Sequence, residues 1–200
     1  MRNTLIKFGL MTFSVLGLAA CEKADSLGSL PHAGDIVFTE IMPLDTAGSS
    51  NWAELYNTSD TSIQLQQCII SNRTGQILTI SESLIVEPEH FAVFSSNAVE
   101  STVLPPSLSQ PNFDFPADDF QLNSNETLKL LCDNRLIDQI TYDVDSPEYM
   151  DITTSWQRHY RPNEPADSIS NAWCYTNPLE NYEYGSAKFA TPGRANSFCS

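Results

Sequence analysis

Basic residues are scarce in this chain, histidine is nearly absent, and no motif of a reactive centre occurs. Against 25 Asp and Glu stand 10 Lys and Arg, a formal charge of −15, and there are three His. So acidic a surface repels phosphate backbones, which excludes a nucleic-acid partner of the usual kind. There is no GxSxG, no HExxH and no CxxC or Cys/His spacing, so neither a serine hydrolase elbow nor a zinc site is written here. Beyond residue 20 no apolar run is long enough to cross a bilayer as a helix. No stretch keeps a helical period, and no repeat of solenoid length recurs.

What the chain does contain is short β-like runs. Gly34 to Asn57 holds DIVFTEIM and NWAELYN, rich in Ile, Val, Phe, Thr, Trp and Tyr and joined by a Gly/Ser-rich turn. After them come SIQLQQCIISN (62–72), QILTI (76–80), SLIVEP (83–88), HFAVFSS (90–96), FQLN (120–123), TLKLLC (127–132) and LIDQITY (136–142). Runs this short, punctuated by turn residues, predict an all-β sandwich or barrel. Asp133-Asn134-Arg135 predicts a hairpin between the last two. Four prolines confine residues 98–119 to an extended crossover loop, with Phe113 and Phe115 expected to cap the core. SWQRHY (155–160) returns to strand character, and Thr191-Pro192-Gly193 predicts a sharp turn.

Residues 1–20 begin with Arg2 and Lys7, run on through FGLMTFSVLGLAA and end in small residues, which is the layout of a signal peptide. Leu18-Ala19-Ala20-Cys21 resembles the lipobox of bacterial lipoproteins, which implies Cys21 as the lipidated N-terminal residue, acylated with palmitate-type chains that hold the protein to the membrane. Glu22, in place of Asp, resembles lipoproteins sent to the outer membrane. Residues 22–33 read as a polar tether that reaches at most about 40 Å, with His32 as exposed filler. The expected organisation is therefore a signal peptide (1–20), a lipidated Cys and tether (21–33) and one domain (34–199).

Cys68, Cys132, Cys174 and Cys199 form an even set, which in an exported protein reads as two disulfides. The preferred pairing is Cys174 with Cys199 in the C-terminal arm and Cys68 with Cys132 facing each other across a sandwich. Each closure is expected to contribute about 3 to 4 kcal/mol.

The order of these segments resembles the lamin tail domain family. IVFTEIM followed by WAELYN is similar to that family's "INEI" and "EWIELYN", and SIQLQQCIISN to its "VDLSGWTLSD". FQLNSNETLKLLCDNRLIDQITY, SWQRH and TPGRAN follow in the family's order, with Cys68 where the family usually carries Trp. The resemblance implies an immunoglobulin-like β-sandwich, bacterial copies that are exported, and no shared catalytic residues.

Acidic clusters are the remaining candidates. Glu40 and Glu54, one in each opening strand, are placed to meet across neighbouring strands, where a carboxylate pair holds a cation or does acid–base work. A structural role at the sheet rim is favoured over calcium, and calcium over catalysis. Asp143, Asp145, Glu148 and Asp151 are dense enough in oxygen ligands for calcium but lack EF-hand order, and a solvated loop is favoured. Asp114, Asp118 and Asp119 are read the same way. Arg158, His159, Tyr160 and Arg161 form a small basic group whose ordinary use is ion pairing. His90 has no nucleophile beside it. The sequence thus points to a non-enzymatic, lipid-anchored module of the bacterial outer membrane that contacts an envelope protein or glycan. The alternative is a calcium-binding accessory domain serving an extracellular hydrolase.

Overall fold

The computed structural model describes residues 28–42, 52–96, 113–115, 120–143, 155–158, 173–175, 182–184 and 188–196. Residues 1–20, expected to be a signal peptide, Cys21, most of the expected tether, Asp118, Asp119, Asp145, Glu148, Asp151, His159 to Arg161 and Cys199 lie outside them.

All regular structure among the described residues is β. The strands are β1 (Ile36–Met42), β2 (Trp52–Asn57), β3 (Ile63–Gln64), β4 (Ile69–Ser71), β5 (Ile77–Thr79), β6 (Ile85–Val86) and β7 (Phe91–Ser96). They continue as β8 (Phe113–Phe115), β9 (Asn125–Cys132), β10 (Arg135–Asp143), β11 (Trp156–Arg158), β12 (Trp173–Tyr175), β13 (Tyr182–Tyr184) and β14 (Lys188–Ala190). A six-stranded sheet runs β12-β11-β1-β2-β7-β8, and a four-stranded sheet runs β10-β9-β4-β5. The pairs β13-β14 and β3-β6 form two small ribbons.

The layout is an immunoglobulin-like β-sandwich whose sheets enclose one core. Ile36, Phe38, Ile41, Leu55 and Phe94 of the larger sheet pack with Ile70, Leu128, Leu130 and Ile140 of the smaller. Along β9 exposure alternates with burial, because successive side chains point to opposite faces and only one face meets the core. β1 and β2 are instead buried on both faces. Met42, Trp52 and Val93 pack on the far side with Ala190 of the C-terminal arm, which therefore covers that face.

Five sequence expectations are corrected in detail. Residues 62–72 form two strands, not one, because Gln67 turns at φ 69° and Cys68 N–H donates to Leu65 O. FQLN is not a strand. Phe120 and Leu122 plug the core while Gln121 bonds to the side chains of Gln76 and Asn72, which replace a ladder partner. Within the expected crossover loop, Phe113–Phe115 adds a parallel strand beside β7. The tether ends earlier than residue 33, since Ser29 bridges Ile63 in parallel and exchanges backbone bonds with Ser62 and Gln64. Gly28 permits that approach, as a Cβ there would sit 2.7 Å from Gln64 N. His32 is exposed but not idle: its backbone N–H donates to Asp35 Oδ2 at 2.7 Å, and its ring lies 3.2 Å from the same oxygen.

The fifth concerns the disulfide. Cys68 and Cys132 are joined, with 4.3 Å between their Cα atoms. They do not face each other across the sandwich. They extend the β4–β9 ladder one step beyond the Ile69–Leu131 pair, inside a single sheet. The register that pairs Ile69 with Leu131 brings Cys68, which precedes the one, and Cys132, which follows the other, side by side at a Cα spacing a disulfide accepts. The β9–β10 hairpin turns on Asp133 and Asn134, both at positive φ, the conformation a two-residue hairpin loop requires.

Candidate functional site

Strand β1 carries a bulge between Phe38 and Glu40. Ile36 and Phe38 point into the core, and strict alternation would send Glu40 after them and Ile41 away. The extra residue resets the alternation, so Ile41 joins the core and Glu40 stands opposite Glu54. Both carboxylates are fully buried.

Each is held by donors from distant parts of the chain. Glu40 Oε1 accepts the Ser155 hydroxyl and, at 2.8 Å, the Thr191 N–H, while Oε2 accepts the Thr191 hydroxyl at 3.0 Å. Glu54 Oε1 accepts the Thr39 hydroxyl at 2.7 Å, and Oε2 accepts the Gly193 N–H. Asn196 completes the clasp, its amide donating to Thr39 O at 2.7 Å and Arg158 O at 3.0 Å and its oxygen lying 2.8 Å from the Thr191 hydroxyl, whose one proton it shares with Glu40. The turn at Thr191-Pro192-Gly193, with Gly193 at φ 78°, thus aims two backbone N–H groups at two acids.

Burial, and then the neighbouring Glu40 charge, hold the Glu54 carboxyl well above the ordinary glutamate range. The Thr39 and Gly193 bonds pull the other way and do not prevail. A neutral Glu54 beside Glu40 avoids two unpaired charges in a dry site.

A second, partly buried acid fastens the sheets to each other. Asp138 Oδ2 accepts the Phe38 N–H at 2.8 Å and pairs with Arg158 at 3.3 Å. Burial raises the Asp138 pKa, and its donors only partly offset that. Arg158, from the basic group of the sequence, is therefore consumed internally.

Of the two calcium candidates, the Glu40–Glu54 pair and Asp143, where the acidic cluster begins, lie in different sheets. Glu40 and Glu54 meet, but Asp143 ends β10 in the other sheet, and Asp145 lies outside the described residues. Among the described residues no group of three or more His, Cys, Asp or Glu is placed to hold a metal. One backbone N–H is aimed at each acid, Thr191 at Glu40 and Gly193 at Glu54. His90 is exposed before β7, its ring 2.9 Å from Pro88 O. Asp114 lies in β8. Cys174 is disulfide-bonded, and Gln157 donates to its sulfur at 3.8 Å.

Sequence reasoning did not single out Thr191, Gly193, Asn196 or Asp138. TPGRAN carried a turn signal and a family resemblance, but nothing local tied it to acids 139 and 151 residues away. The bulge did leave a trace, in the step from Phe38 to Ile41 after the two-residue step from Ile36. A groove of about 430 Å³ lies elsewhere, at the hairpin end of the smaller sheet, lined by Leu30, Ile69, Leu131 and the Cys68–Cys132 disulfide.

Two sheets around one core, with buried acids bonded internally, define the class: an immunoglobulin-like β-sandwich. The family model of the lamin tail domain matches residues 30–143, and the chain belongs to that family. No curated protein matches the chain. β11 and β12 extend the larger sheet from outside the matched span.

Proposed function

We propose that this chain is a non-enzymatic binding or structural module, lipid-anchored through Cys21 to the bacterial outer membrane, whose rim loops contact an envelope protein or glycan. The observation that carries this reading is the use made of the paired acids. Glu40 and Glu54, the best reactive candidates in the sequence, are sealed beneath the C-terminal arm and bonded to Thr39, Ser155, Thr191 and Gly193. A general acid needs access to substrate, and a calcium site needs free oxygen ligands. Loops on a rigid sandwich are where recognition residues collect. The low count of basic residues supports a partner other than nucleic acid.

Cys174 with Cys199 is the second disulfide of this reading, stapling the C-terminal arm in an oxidising compartment. The N-terminal features, Cys21 after Leu18-Ala19-Ala20 and a short polar tether, support the membrane address. Fractionation of cells tests it: wild type is expected in the membrane pellet and Cys21→Ser in the soluble periplasm, with crosslinking in intact cells capturing the partner. A Cys21→Ser protein that stays in the pellet would overturn the anchor, and turnover of a glycan or peptide by the purified chain would overturn the non-enzymatic reading.

A further inference from the structure

The outer face of the four-stranded sheet departs from the rest of this acidic chain. Reading across paired positions, Leu136 on β10 lies opposite Leu131, Leu131 opposite Ile69, and Ile69 opposite Thr79. The next row is Gln139, Lys129, Ser71 and Ile77. Thr127 and Thr141 follow, their hydroxyls 3.0 Å apart. Across these paired positions there is no carboxylate and one charge, Lys129, in a chain where acids outnumber bases 25 to 10. The acids bordering these rows are Asp133, which lines the groove at the hairpin end, and Asp143 at the far end.

The face is also apolar where it should be wet. Ile77 is 57% exposed, Leu136 47% and Leu30 51%, and Leu30 walls the groove that Ile69 and Leu131 share. Leu30 is where the tether reaches the fold. From Cys21 to Leu30 is nine peptide steps, at most about 30 Å, so an acyl chain on Cys21 holds this rim of the sandwich within that distance of the bilayer.

We propose that the Leu136–Leu131–Ile69 row, with Leu30 and Ile77, rests on the lipid surface to which Cys21 tethers the chain. This rests on the lipid-anchor reading. An apolar patch flanked by a lysine is the composition that lies at the headgroup boundary, with the lysine reaching toward lipid phosphate. Carboxylates stand only at the two ends of this face, Asp133 at the groove and Asp143 at the far end, so the rows between them meet less repulsion at an anionic leaflet than the rest of the surface would.

The test uses the full lipidated chain in vesicles of phosphatidylethanolamine with a minority of phosphatidylglycerol. A photoreactive benzoylphenylalanine replaces Leu136, Ile77 or, as a control on the larger sheet's side, His90, each variant first shown to melt as wild type does. Lipid adducts several-fold more abundant at positions 136 and 77 than at 90 are expected, and are expected to vanish with Cys21→Ser. Equal adducts at all three positions on a protein shown by mass to be lipidated would overturn the proposed face and leave the anchor standing. A chain that carries no lipid by mass would overturn the anchor, and the proposal with it. In native membranes, protein adducts at 136 in place of lipid would overturn the choice of lipid as occupant.

Discussion

Glu54 is a glutamate in a place that suits its neutral form, and its protonation is tied to stability. Its folded pKa lies above the ordinary value, so the folded chain keeps a proton that the unfolded chain releases. Stability from this group is therefore full below the ordinary glutamate range and is lost as pH rises from there through the folded value. Glu54→Gln keeps an acceptor for the Gly193 N–H and cannot ionise. Its melting temperature is expected to equal or exceed that of wild type at neutral pH, the gap narrowing toward acid, as pH-resolved thermal melts would show. Asp138→Ala is the opposite case. It strands Arg158, buried and unpaired, and frees the Phe38 N–H, and denaturant titration is expected to show a loss of about 3 kcal/mol. Asn57 is a third fixed point: its amide donates to Thr61 O and Val86 O, both at 2.8 Å, and its oxygen accepts from Ser59.

At the scale of elements, the C-terminal arm is a lid on the larger sheet. Thr191 supplies both its N–H and its hydroxyl to Glu40, and Ala190 packs on Met42, Trp52 and Val93. Thr191→Ala removes the hydroxyl bond and leaves a buried carboxylate oxygen short of a donor, an expected cost of about 1 to 3 kcal/mol in chemical unfolding. The Cys68–Cys132 disulfide spans 64 residues, and replacing both cysteines by Ala is expected to cost about 4 kcal/mol by loop-closure entropy. Much of this architecture was legible beforehand. The opening hairpin announced itself in IVFTEIM and WAELYN, and the Asp133-Asn134 turn carried its own chemistry. What escaped was non-local. Whether residues 62–72 make one strand or two depends on Gln67 taking positive φ so that Leu65 can bond Leu84 O. The sheet holding the disulfide depends on the β4–β9 register, which no single run encodes.

On the scale of the whole molecule, two sheets of unequal character emerge. The larger is buried on both sides of β1 and β2 and locked by carboxylates, so its identity is internal. The smaller shows an outer face poor in charge, with Lys129 among apolar and hydroxyl side chains, and in the proposed reading that face meets the membrane while the loops of the sandwich meet a partner. The pairing of Glu40 with Glu54 was legible from their strand positions, but not its purpose, because the donors arrive from Ser155, Thr191 and Gly193 on segments with no local link to either acid. The account turns on those acids being clasps and not ligands. Thermal melting of the Cys21→Ser chain in a calcium titration tests this most directly, because any ligand bound to the folded state raises the melting temperature. An unchanged melting temperature up to millimolar calcium is the predicted result. A rise with calcium that disappears in Glu54→Gln would contradict it.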